Sequence, residues 1–273
     1  MMQYGFPEVF ESDARGIVKE VFEDIKYVLK VPMVNFIFRA LANYPEFLTM
    51  AWQQVRPNML TINMETAANK LRFPALTTVP QYDFSKDHHH QTLNHIHNII
   101  STFQYVNPKL LLIASLLIES LADRPITTQK QIKGHIQPGI YSQMPHIDLV
   151  HIPQAPISLR TLLSDVAKTH NSFDVASDYR ALANYPKFLH VTWSHLKPYI
   201  SSDEYTILKS AMLNRAVNVS REEMPCSVWI DKNYLASIYS PDQIAGIMGV
   251  VSFFHQFLPG LIIENEFMRR MII

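Results

Sequence analysis

Cysteine is nearly missing from this chain of 273 residues; the single copy, Cys226, excludes an intrachain disulfide, a CxxC redox pair and a multi-thiolate zinc site. Such cysteine usage fits a reducing compartment, and the expected location is cytoplasmic. Glycine is scarce, with 7 copies, and no Asn-Gly or Asp-Gly turn joins alternating β-branched runs, so hairpins are not expected. Neither sign of charge is in excess: 24 Lys and Arg balance 24 Asp and Glu, without a basic run. A surface for nucleic acid or an anionic membrane therefore has no source. The longest apolar run, Leu110 to Ile118 through Ser115, falls well short of the roughly 18 residues of a spanning helix. Near the start stand Pro7, Glu8 and Glu11, where a secretory signal is basic and then apolar. HExxH, P-loop, GxGxxG and GxSxG patterns are all absent, which removes the usual metal, cofactor and nucleophile-elbow sites. What remains is a neutral chain with 48% hydrophobic residues, long enough for one large domain or two small ones.

An internal repeat organises it. Arg39-Ala40-Leu41-Ala42-Asn43-Tyr44-Pro45 returns unchanged as Arg180 to Pro186, at an offset of 141, and Phe47, Leu48, Trp52 and Pro57 return as Phe188, Leu189, Trp193 and Pro198. The same offset carries Val18, Val21, Phe22 and Ile25 onto Leu159, Leu162, Leu163 and Val166, which keeps the apolar stripe of an amphipathic helix in phase. Further on the offset drifts to 151, where Phe103, Pro108 and Leu110-Leu111-Leu112 meet Phe254, Pro259 and Leu261-Ile262-Ile263. Residues 122–156, with Pro125, Pro138, Pro145, Pro153 and Pro156, read as an extended surface linker. Ser240-Pro241-Asp242-Gln243 is a capping box, and Pro45 and Pro186 open helices that Pro57 and Pro198 are expected to end. The expected fold is all-α: a helical repeat over 1–121, the Pro-rich linker over 122–156 and a second repeat over 157–273, each with five or six helices, packed as a pseudo-twofold dimer within one chain.

The differences between the repeats locate a site. Asp178 aligns with Ile37, and Asn107, before Pro108, aligns with Leu258, before Pro259. If both positions are buried, each repeat has exchanged one apolar side chain for a polar one, and an apolar pocket holding a carboxylate and an amide is a candidate site. Two plainer readings stand beside this: Asn107 as the N-cap of a helix opened by Pro108, and Asp178 on a solvated helix face or complementing a helix dipole. The shared Arg39 and Arg180 are expected to satisfy carbonyls or carboxylates, and the shared Trp52 and Trp193 to pack in the core or between the repeats.

Val31-Pro32-Met33-Val34, Asn107-Pro108-Lys109 with Leu111-Leu112, and Ala176-Ser177-Asp178 followed by Ala181-Leu182-Ala183-Asn184 and Pro186-Lys187 resemble the group I 2-haloacid dehalogenases of the DehI type. The resemblance runs through nearly the whole chain, including both repeats and the linker. It implies an all-α pseudo-dimer that hydrolyses the carbon–halogen bond of short 2-haloalkanoic acids, inverting the configuration, without metal or cofactor. The catalytic aspartate and water-positioning asparagine fall on Asp178 and Asn107. Ser177, Met33, Phe36, Leu110, Ala181 and Phe254 fall on the substrate pocket. Met33 stands where a tryptophan is expected, and Leu110 and Phe254 where tyrosines are expected, so this pocket is the more apolar. Displacing halide from C2 calls for a hydroxide-like nucleophile, which a buried aspartate of raised pKa can generate from a water held by an amide. Ser177 is the candidate donor for the substrate's negative charge. The alternative is a non-catalytic protein that binds a small ligand on the same scaffold.

Other clusters rank lower. Asp87-His88-His89-His90 with His95 and His97 offers no i, i+4 pair of histidines and reads as a solvated helix start rather than a metal site. Cys226 reads as a small packing residue. The expected partner is a small carboxylic acid, with no nucleic acid or membrane, and the chain as a monomer or homodimer.

Overall fold

The computed structural model describes residues 7–127, 130–142 and 144–272. Among them the regular structure is helical, and the β-type pairings are two isolated bridges, Thr61 with His135 and Tyr82 with Ile272. The first five helices are α1 (Gly16–Leu29), α2 (Phe36–Leu41), α3 (Pro45–Met59), α4 (Ile62–Arg72) and α5 (His90–Leu121). After a long connection follow α6 (Ile157–Thr169), α7 (Ser177–Leu182), α8 (Pro186–Ile200), α9 (Asp203–Glu223), α10 (Lys232–Ile238) and α11 (Pro241–Met271).

Local sequence accounts for these boundaries. In α1 the buried residues Val21, Phe22, Ile25, Val28 and Leu29 form one stripe, and α6 buries Leu159, Leu163 and Val166 likewise. Thr61 caps α4 by accepting the Met64 N–H (3.1 Å), and Ser202, 141 residues on, caps α9 by accepting the Tyr205 N–H (3.2 Å). Ser240 and Gln243 form the reciprocal capping box of α11, and Pro45 and Pro186 are the first residues of α3 and α8.

The other prolines behave differently from the sequence expectation. Pro57 and Pro198 lie inside α3 and α8, which run on to Met59 and Ile200. Pro108 likewise lies inside α5, so Asn107 is a mid-helix residue and not an N-cap. A proline removes one backbone N–H from a helix but keeps a helical φ, and packing on both sides carries these helices through.

The long helices α5 and α11 form the most extensive helix pair and the centre of the core. α11 alone, among the described residues, is long and apolar enough to cross a membrane, a feature a search for unbroken apolar runs misses because polar residues interrupt it. It lies against α5 and α9, and Glu264, Asn265 and Glu266 are buried on it, as in a core helix. Trp52 and Trp193 are held alike: the Trp52 indole donates to Asp24 of α1 (2.6 Å) and stacks edge-on against Phe38, and Trp193 donates to Asp165 of α6 (2.8 Å) beside Tyr179. Among its described residues, the connection between α5 and α6 has one short helical turn, Ile152–Gln154, and is tied down by backbone hydrogen bonds from Ile136 to Leu60, Gly139 to Tyr27 and Val150 to Arg180.

Candidate functional site

Asp178 sits in the first turn of α7, Asn107 in mid α5, and both are buried, as are their aligned partners Ile37 and Leu258. Their side chains meet: Asn107 Nδ2 donates to Asp178 Oδ1 at 2.8 Å. A second amide that the sequence reading missed, Asn265 of α11, donates to the same oxygen at 2.5 Å and to the Leu261 carbonyl at 2.9 Å. Asp178 is therefore neither on a solvated face nor a simple complement to a helix dipole. Burial raises its pKa from the ordinary 3.8 to about 6, against the pull of the Asn265 and Asn107 amides and its own backbone N–H toward ionisation.

The two polar groups open on a small cavity walled by Phe36, Ile37, Phe103, Leu110, Phe254 and Leu258, with Ser177 and Asn35 adding polar edges. Phe36 and Phe254 close it edge to face, with centroids 5.1 Å apart. The space open to the centre of a water molecule is about 20 Å³, room for about one water. Met33 and Ala181 are buried but do not line this cavity, whereas Ser177, Phe36, Leu110 and Phe254 do.

Ser177 is electrostatically prepared. Arg39, buried in α2, donates to Ser177 Oγ at 3.2 Å, to the Val34 carbonyl and to Glu8 at 2.7 Å. Arg180 reaches the other oxygen of Glu8 at 3.0 Å and the Val150 carbonyl at 3.1 Å. Because Ser177 Oγ accepts from a guanidinium, its own O–H is directed away from Arg39 and is available as a donor. Asn35, at the N-cap of α2, carries a buried Oδ1 without a hydrogen-bond partner among the described residues. Asn35 and Asn265 carry the same signal that marked Asp178: they align with Ala176 and Ala114, polar against small apolar. Among the described residues no three His, Cys, Asp or Glu side chains converge as metal ligands, and His89 is the N-cap of α5, with His90 its first residue.

Fold and site together define a class: all-helical proteins that bury one carboxylate between amides in a small apolar cavity. The chain belongs to the DehI family, whose model, described as halocarboxylic acid dehydrogenase DehI, matches residues 32–179. It is 30% identical over 270 residues to a configuration-inverting 2-haloacid dehalogenase of Alcaligenes xylosoxydans xylosoxydans, covering 95% of this chain and 91% of that one. A configuration-inverting 2-haloacid dehalogenase of Pseudomonas sp. (strain 113) is 24% identical, with 93% and 86% covered. The fold matches that of a D-2-haloacid dehalogenase solved in complex with L-LA, with a TM-score of 0.88, 23% identity and coverage of 99% and 97%.

Proposed function

We propose that the protein hydrolyses the carbon–halogen bond of short 2-haloalkanoic acids, with inversion at C2. The observation that carries this reading is a buried carboxylate, Asp178, at a cavity with room for about one water and with Asn107 bonded to it. In this reading Asn107 holds the water, Asp178 takes its proton, and the oxygen attacks C2 opposite the departing halide. A pKa of about 6 suits a base that is ionised at neutral pH yet basic enough to accept a proton. The substrate carboxylate brings a second negative charge near Asp178, and the Ser177 hydroxyl, polarised by Arg39, and the Asn35 amide supply donors. The cavity has room for the nucleophile alone, so substrate binding requires side chains of its apolar wall to move. No step requires a metal or cofactor.

The same reading treats 1–121 and 157–273 as pseudo-twofold repeats joined by 122–156, with the site between them, in a cytoplasmic monomer or homodimer. Leu110 and Phe254 on the cavity wall, apolar where hydroxyls are expected, favour a second reading, a binding protein without chemistry. Halide release from a panel of 2-chloro and 2-bromo acids separates the two. Wild-type protein is expected to release halide and Asp178→Asn to lose at least about 100-fold, the contribution of a general base. No release from any acid by folded wild-type protein leaves the binding reading.

A further inference from the structure

Behind Asp178 lies a polar cluster, and the positions aligned with its members in the other half of the chain are apolar. His170, at the C-cap of α6, meets Glu264 of α11 at 2.9 Å. Tyr179 donates to Glu264 Oε2 at 2.6 Å and Tyr205 to Oε1 at 2.5 Å. At offset 141, His170, Tyr179 and Tyr205 align with Leu29, Phe38 and Met64; at offset 151, Glu264 and Asn265 align with Ile113 and Ala114. All five counterparts are buried. The scaffold thus closes the same positions with hydrocarbon where no carboxylate base stands, so packing does not require the polar set. Gly260, aligned with Lys109, leaves the space that the Tyr205 hydroxyl fills, since a Cβ there would overlap it.

The cluster is joined to Asp178 by adjacency. Asp178 bonds Asn265, and the adjacent residue on each helix, Tyr179 after Asp178 and Glu264 before Asn265, repeats the link. Two consecutive cross-links pin α7 to α11 at the carboxylate. Both ring nitrogens of His170 face acceptors, the Val166 carbonyl at 2.8 Å and Glu264, so both carry protons and the ring is a cation. Asn265 spends both N–H groups on Asp178 and Leu261, leaving its Oδ1 buried without a partner among the described residues, an arrangement that costs stability and that alanine would avoid.

We propose that Asn265, fixed by the His170–Glu264–Tyr179 clamp, is a positioning residue for the Asp178 base: with Asn107 it occupies one carboxylate oxygen and reserves the other for the reacting water. This rests on the reading of Asp178 as base. The charged groups around Asp178 are Glu264 of α11, His170 of α6 as its counter-ion, and Arg39 of α2, which reaches Asp178 only through Ser177; Tyr179 and Tyr205 are neutral donors. Glu264 opposes ionisation of Asp178, and His170 offsets that repulsion.

The test replaces Asn265 by its counterpart, Asn265→Ala, with Asn265→Ser to restore a donor. Two readouts are followed in the full chain: the acid limb of kcat/KM for halide release from 2-chloropropionate, and the Asp178 carboxyl titration by ¹³C NMR. Losing a donor to the carboxylate is expected to raise both by about one pH unit, with KM unchanged, and serine to recover part of the shift. Folded Asn265→Ala with the wild-type limb and titration overturns the proposal, as does a fall in rate that is equal at every pH. If the alanine variant fails to fold, the donor-free near-isostere Asn265→Leu takes its place, and a wild-type titration in it overturns the proposal. The NMR readout does not depend on activity, so loss of the dehalogenase reading is distinguished from loss of this one.

Discussion

At the scale of single residues, the site places a charge where the fold resists it. Asp178 is 3% exposed, and its pKa is raised from 3.8 to about 6, so ionising it in the folded protein costs about 3 kcal/mol. The sign follows from the raised value: the stability linked to this group is complete below about pH 4 and is lost as pH climbs past 6. Asp178→Asn is neutral and nearly isosteric, so it should be about 3 kcal/mol more stable than wild type at pH 8 and equal to it at pH 4, measured by urea unfolding. Indistinguishable pH dependence for the two proteins would show that the carboxyl is not desolvated. Glu264 is the opposite case: burial would raise its pKa, but the charge and hydrogen bond of His170, together with the Tyr179 and Tyr205 hydroxyls, outweigh that and hold it below the usual carboxylate range. Two buried acids one helix apart are thus separated in ionisation behaviour by their partners, one paired with a cation and one with amides.

Among the elements, end signals were legible and interior ones were not. The capping box at Ser240 forms as its sequence dictates, with the Gln243 N–H donating to Ser240 Oγ at 3.3 Å and the Gln243 side chain accepting from the Ser240 N–H at 3.0 Å. Ser240→Ala should lower stability by about 1 kcal/mol, seen as a lower urea midpoint with an unchanged slope. Proline misleads where it is interior. Pro57, Pro108, Pro198 and Pro259 all sit inside helices, because a proline's lost hydrogen bond is small beside the burial of the surrounding face. Burial also explains why α11 is not conspicuous in the sequence: its apolar residues are spread over all its faces, since neighbouring helices cover it, and Glu264, Asn265 and Glu266 interrupt them.

For the whole molecule, the sequence made the helical class and the Asp178–Asn107 pair legible because both come from comparing aligned positions, and alignment needs no coordinates. Met33, in the stretch before α2, and Ala181, inside α7, do not line the small cavity, because a residue near the site in sequence can still face the core, and only packing decides which way it turns. Asn265 could have been found by carrying the same comparison four residues beyond Leu261. So could Glu8, which meets Leu149 at the offset of 141 and whose carboxylate joins Arg39 and Arg180, the two copies of the repeated arginine. That bridge also sets the orientation of Arg39, and through it the Ser177 hydroxyl, so a residue far from Asp178 in sequence shapes the donor side of its cavity.

The central claim, that Asp178 activates a water and does not itself attack carbon, is tested most directly by one turnover in ¹⁸O-labelled water with protein in excess over 2-chloropropionate. Direct attack by water predicts one labelled oxygen in the hydroxy acid from the first turnover. A first-turnover product carrying unlabelled oxygen, with the label entering the Asp178 carboxylate as that product is released, would mean an ester on the carboxylate and would contradict the account.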